Sequence, residues 1–133
     1  MIPDFNDQGY LPPGVHLASL DEIESRFGRQ SEIRQVQMES LRWLVESARK
    51  AGVLRIIVNG SFVTDIYEPN DVDCVLLIDS EYPSNSDAEE VISNGMPFLE
   101  IKLTQLHDFE FFVYDLFASD RYQSPKGVVE VIP

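Results

Sequence analysis

Between Val53 and Asp79 two short apolar runs, "VLRIIV" and "DVDCVLLID", are joined through Gly60-Ser61 and the spacer "TDIYEPN". Runs this short, rich in β-branched residues and bounded by turn formers, predict buried strands rather than helices. Gly60 breaks the first run, and Pro69-Asn70 is a turn signature, so the two strands are expected to be neighbours running antiparallel or nearly so. Side chains alternate along a strand. Val72, Cys74, Leu76 and Ile78 therefore form an apolar row on one face, while Asp71 and Asp73 share the other, their Cα atoms about 6.5 Å apart.

The flanking sequence supplies helices for such a pair of strands. Ser19 followed by Glu22 has the form of a capping box, with Gly28 as the stop. From Ser31 to Lys50 the apolar residues Ile33, Val36, Leu41, Leu44 and Ala48 recur at helical spacing, with Arg49 and Lys50 in the last turn and Gly52 beyond. A third, short helix is expected to start at a Ser86/Glu89 capping box and to stop at Gly95. "PFLEIKLT" reads as a third strand that places Leu99, Ile101 and Leu103 on one face and Phe98, Glu100 and Lys102 on the other. In "DFEFFVYDLFASDRY" the positions Phe109, Phe112, Val113, Leu116 and Phe117 follow the apolar stripe of a helix, with Asp108 as its N-cap. Glu110 and Asp115 fall off that stripe and read as solvated charges. "SPKGVVEVIP" predicts a turn and a short final strand, and "MIPDFNDQGYLPPGV" an irregular arm packed by Ile2, Phe5, Tyr10 and Leu11.

The 133 residues suit one domain, and no apolar run is long enough to span a bilayer. The first residues have neither the basic end nor the apolar middle of a signal peptide, so the expected location is cytoplasmic, with no membrane partner. The single cysteine, Cys74, excludes an intramolecular disulfide and a cysteine-rich zinc site; its apolar neighbours predict a packed thiol. Ten Lys and Arg stand against 23 Asp and Glu, a net charge of −13 that repels phosphate backbones, so naked nucleic acid is disfavoured as a partner. The same charge serves solubility, or presents an acidic face to a basic protein. His16 and His107 are expected in surface or capping roles, and Trp43 in packing on the long helix.

Two ionised carboxylates on one strand face repel each other unless a cation lies between them, and the neighbouring sequence supplies no Lys or Arg. A hard divalent ion with oxygen ligands, Mg²⁺ or Mn²⁺, resolves the conflict and can also hold a substrate phosphate. An isolated D-x-D is more often only a turn-end feature, as in "PND". The Gly60-Ser61 pair ten residues earlier raises the functional reading, because a glycine lets the backbone come close to a phosphate and a hydroxyl can bind its oxygens.

A strand, Gly60-Ser61, a spacer, and Asp71-Val72-Asp73 opening an apolar strand resemble the signature of the polymerase-beta-type nucleotidyltransferases, especially their minimal single-domain members. The wider chain, from "IPDFNDQGYLPPGVH" through "GSFVT" and "DVDCVLLI" to "PKGVVEV", also resembles a group of small uncharacterised bacterial proteins thought to share this fold. Together with the elements above, the resemblance implies an α+β fold: a small, mixed, mostly antiparallel sheet with helices packed on one face. It implies one nucleotidyltransferase-like domain over residues 1–133, with the arm occupying about 1–18.

For function, the resemblance implies that Gly60 and Ser61 hold the phosphates of a nucleoside triphosphate and that Asp71 and Asp73 bind Mg²⁺ or Mn²⁺. It also implies a third carboxylate on a later strand, for which Glu100 is the candidate catalytic and metal residue; the alternative for Glu100 is a side-chain partner of Lys102. The chemistry implied is attack of a hydroxyl on the α-phosphate, transferring a nucleoside monophosphate to an acceptor. The chain departs from the family where minimal members carry basic residues after Gly-Ser, since "FVTDIYE" has none. Lys102, Arg121 and Lys126 are the cations available elsewhere. The competing reading is a catalytically inactive binding module of the same fold, such as a toxin-antitoxin component docking a protein partner.

Overall fold

Steric preference and burial put the two β-branched runs at the centre of one sheet. The computed structural model describes residues 2–133 except Phe117. The strands are β1 (Val15–Ala18), β2 (Arg55–Asn59), β3 (Val72–Leu77), β4 (Leu99–Thr104) and β5 (Val128–Val131). The helices are α1 (Leu20–Phe27), α2 (Glu32–Ala51), α3 (Ser86–Asn94) and the short α4 (Leu106–Glu110), which runs on into a π-helical turn over Phe111–Leu116. The sheet order is β1-β5-β2-β3-β4. Central β2 is antiparallel to both β3 and β5, whereas the outer pairs β3–β4 and β1–β5 are parallel. Every other strand therefore starts at the end of the sheet where β2 finishes. The protein is α+β with a mixed sheet, as expected.

The two faces of the sheet differ. Val58, Val72, Cys74, Leu76, Val129 and Val131 turn toward α1, α2 and α3 and join Ile23, Phe27, Leu41, Leu44, Val45 and Ile92 in the main core. On the opposite face Ile57, Val75, Leu77 and Val128 form a smaller cluster closed by Phe109 and Val113 of α4 and the turn after it. The carboxylate-bearing positions belong to this second face, beyond the part that α4 covers.

Several expectations need correction. The arm is not irregular throughout, because Val15–Ala18 pairs in parallel with β5, although Leu11 is fully buried as expected. In α2 the buried side runs through Arg34, Gln37, Met38, Leu41, Leu44, Val45, Ala48 and Ala51, while Val36 is exposed. The stripe turns this way because Arg34 and Gln37 find backbone carbonyls inside the fold. Trp43, two residues past Leu41 and so on the far side of the helix, is 56% exposed and packs no core. The N-cap of α3 is Asn85, whose side chain accepts from Ala88 N at 2.9 Å, one residue before the expected Ser86. Helix α4 starts at Leu106 after Gln105, so Asp108 lies in its first turn rather than at its cap. Phe109 and Val113 of the expected stripe are buried, and Phe117 lies outside the described residues.

The other signals hold. Ser19 accepts from Glu22 N at 3.1 Å while Glu22 accepts from Ser19 N at 3.2 Å, a complete capping box, and Gly28 follows α1. Ser31 caps α2, and Gly52 ends it in the left-handed conformation. Among the described residues no helix is long and apolar enough to cross a membrane.

Candidate metal centre

The end of the sheet where β2 leaves and β3 and β4 enter gathers three acidic side chains. In the β2–β3 register Asn59 lies opposite Asp73, and in the β3–β4 register Asp73 lies opposite Glu100. Residues in register across a sheet point to the same side. Asn59, Asp73 and Glu100 therefore form one transverse row, with Asp71 one alternation away along the chain from Asp73. One carboxylate oxygen from each of Asp71, Asp73 and Glu100 lies within 4.8 Å of the other two. Asp71 and Asp73 are partly buried, and Glu100 is exposed. All three acidic residues expected from the sequence meet, including Glu100, whose alternative partner Lys102 instead holds its ammonium 5.3 Å from the ring of Phe112.

Gly60 binds the two halves of the motif together. It has a φ of +78°, and a Cβ built on it would lie 2.1 Å from Asp73 Oδ2. Both the left-handed backbone and the Asp73 carboxylate resting on it demand glycine. Ser61 begins the descent of a short 3₁₀ turn, Gly60–Val63, in which its carbonyl accepts from Thr64 N at 3.2 Å and Thr64 Oγ1 at 2.6 Å. Its hydroxyl has no hydrogen-bond partner among the described residues.

The rest of the spacer is fastened from beneath by polar residues of α2 and its N-cap Ser31. Arg34, nearly fully buried, donates through Nη1 to Phe27 O at 2.9 Å and Phe62 O at 2.7 Å, through Nη2 to Thr64 O at 2.9 Å, and to Ile66 O. Ser31 Oγ donates to Tyr67 O at 2.8 Å, and Gln37 Nε2 to Pro69 O at 2.7 Å. Burial lowers the Arg34 guanidinium to about 10, which leaves it charged at neutral pH. A segment without regular structure thus has its carbonyls satisfied one after another and is delivered to Asp71 in one shape. The signal for this was a basic residue inside the helical stripe, four positions before Met38.

Electrostatics follow from the crowding. Burial, a hydrogen bond to Glu100, and the charges of Asp71 and Glu100 push the Asp73 carboxyl up to about 7, against a smaller opposite pull from Lys126. Burial and Glu100 also raise Asp71. Lys126, half-buried and 6.0 Å from the Tyr10 ring, is the one of the three candidate cations felt by Asp73, whereas Arg121 lies over the Tyr122 ring at 5.1 Å. Cys74 is fully buried on the opposite face, where burial pushes its thiol up, so it is a packed thiol. His16 Nε2 is hydrogen-bonded to Pro12 O at 2.6 Å and stays out of the cluster.

The donor set is all oxygen, concentrated and negatively charged, and it could hold a metal ion. A family model matches residues 3–132, nearly the whole chain. The chain belongs to DUF6932, a family of unknown function. No curated protein and no solved structure matches it. Sequence reasoning missed Asn59, the fourth polar side chain at this end of the sheet face. Its only signal was its place directly before Gly60, in alternation with Ile57.

Proposed function

We propose that this protein is a metal-dependent nucleotidyltransferase that moves a nucleoside monophosphate from a nucleoside triphosphate to an acceptor hydroxyl. The observation that carries this reading is the convergence of Asp71, Asp73 and Glu100, with Gly60 of the Gly-Ser turn packed against Asp73. Asp71, Asp73 and Glu100 would hold Mg²⁺ or Mn²⁺, which when bound supplies Lewis-acid stabilisation to the attacking and leaving oxygens. Ser61 binds a phosphate oxygen through its unpartnered hydroxyl, and Lys126 adds the positive charge that residues 62–68 lack. The acceptor oxygen forms a bond to the α-phosphorus as the bond to the leaving pyrophosphate breaks. Glu100, the exposed member of the three, takes the acceptor's proton.

The test is transfer of label from α-labelled nucleoside triphosphates in Mg²⁺ or Mn²⁺, offered protein, RNA-end and small hydroxyl acceptors. Wild type should transfer and Asp73→Asn should not. A protein that binds metal and nucleotide yet transfers to no acceptor, itself included, would sink the enzymatic reading. One observation favours a second reading, an inactive module that docks a protein: no Lys or Arg occurs between Ser61 and Asn70. A co-purifying basic protein retained equally by Asp71→Asn and Asp73→Asn would decide for it.

A further inference from the structure

The side chain of Asn59 is completely buried, and neither its Nδ2 nor its Oδ1 has a hydrogen-bond partner among the described residues. A buried amide with both ends unsatisfied is a standing cost to the fold, and native proteins keep such groups for a reason. Packing does not require it. Asn59 continues the row of Ile57 on β2, and Ile57 packs in the smaller core with Val128 of β5, which an apolar side chain at 59 would extend.

Register explains what the amide faces. Asn59 stands directly opposite Asp73, and side chains so placed in an antiparallel pair have Cβ atoms about 4.5–5.5 Å apart. Asp73 in turn stands opposite Glu100 across the β3–β4 pair, so in the transverse row the Asp73 carboxylate lies between Asn59 and Glu100. Gly60, tight against Asp73 Oδ2, limits how that carboxylate can turn. A carboxylate that gives one oxygen to a cation shared with Asp71 and Glu100 keeps further lone pairs that an amide N–H can meet.

We infer that Asn59 is the positioning residue of the metal centre: in the cation-loaded protein its Nδ2 donates to the Asp73 carboxylate and fixes the orientation in which Asp73 ligates. This rests on the metal reading above and goes beyond it, since it assigns a role to a residue that touches neither metal nor substrate. Hydrogen-bond partners of ligating side chains hold ligand orientation, and their loss weakens metal binding by about 10–100-fold.

The experiment is Mn²⁺ and Mg²⁺ titration by calorimetry, paired with thermal melts with and without the ion and with no nucleotide present. Asn59→Val should melt higher than wild type in the metal-free state, because it removes the unsatisfied amide, yet bind the ion about 10–100-fold more weakly. Asn59→Thr, close in volume and still a donor, should recover much of that affinity. Asn59→Val with wild-type affinity, or with a lower metal-free melting temperature, would overturn the inference. Should Asn59→Val fail to fold, Asn59→Ser against Asn59→Ala asks the same question, and equal affinities in that pair overturn it. Wild-type protein that binds neither ion removes the metal reading itself, and Asn59 with it, a result distinct from wild type and Asn59→Val binding equally well.

Discussion

The two ends of one sheet face bury charge in opposite ways. At the end beneath α4, Arg55 makes a two-pronged contact with Glu130, Nε at 2.9 Å and Nη2 at 2.6 Å, with the guanidinium 4.9 Å from the Phe109 ring. At the other end Asp71, Asp73 and Glu100 meet without an ion pair among the described residues, and an amide without a hydrogen-bond partner stands beside them. The first arrangement satisfies itself and asks for nothing from outside. Like charges brought together by the same strands are instead a cost to the fold unless a cation lies between them. This difference separates a structural ion pair from a candidate metal centre more sharply than either cluster does alone.

Neutralising one carboxylate breaks the comparison with the largest effect. Asp73→Asn removes both a ligand and a like charge, so nucleotidyl transfer and the metal-dependent rise in melting temperature should both vanish, while the metal-free protein should melt no lower than wild type. Loss of stability in that variant would mean that Asp73 is a structural residue. At the other end the sign reverses. Glu130→Gln leaves the Arg55 guanidinium partly buried without its counterion, and should cost about 1–2 kcal/mol, a drop of several degrees in thermal melts. The figure is held below that of a fully buried pair because the Arg55 side chain keeps 36% exposure against 15% for Glu130. Metal affinity should not move, and a weakened metal response would show that the two ends are coupled.

How much of this could be seen beforehand depended on whether a residue's role was local. The capping box at Ser19, the stop at Gly52 and the paired strands around "NGSFVTDIYEPN" express backbone preferences within a few residues, and these held. The meeting of Asp71 with Asp73 followed from strand alternation alone. Glu100 needed one further assumption, that its strand would pair with β3, and the parallel register opposite Asp73 met it. Asn59, Arg34 and the pairing of Val15–Ala18 were not legible, because each depends on contacts far apart in the chain. A parallel strand at an edge carries no turn signal to its partner, and an arginine in an apolar stripe looks like an error until the carbonyls of Phe62, Thr64 and Ile66 are placed around it. The same distance explains the exposed Trp43: helical spacing gave it a side of α2, but not which side meets the sheet.

The pH dependence of the metal-free protein sharpens the contrast further, by a smaller amount. Asp73 is raised from an ordinary carboxylate value to about 7, so its contribution to stability is fully present at acid pH below the unfolded value and is lost as pH rises through about 7. Metal-free melting temperature should therefore decline between about pH 4 and pH 7, and saturating Mg²⁺ or Mn²⁺ should flatten that decline while releasing a proton on binding. The Arg55 end contributes nothing to this window through its guanidinium, which Glu130 holds further toward the charged form. A metal-free melting curve flat across the range would show that the three carboxylates are solvated and separate.

The smallest expected effect tests where the missing positive charge comes from. Lys126 favours the ionised form of Asp73 from outside the cluster. Lys126→Met keeps the aliphatic stem beside Tyr10 and removes only the charge. Two consequences follow from the same lost interaction. The midpoint of the metal-free pH dependence should move upward by a fraction of a unit, because the ionised Asp73 loses its support. Nucleoside triphosphate affinity should fall a few-fold, while Mn²⁺ affinity measured without nucleotide should stay equal or fall only slightly, since Lys126 repels the ion as well as steadying its ligand. If triphosphate binding survives Lys126→Met unchanged, the charge that residues 62–68 lack is supplied by no residue near Asp73, and the phosphate-binding role of the Gly60-Ser61 turn loses its principal support.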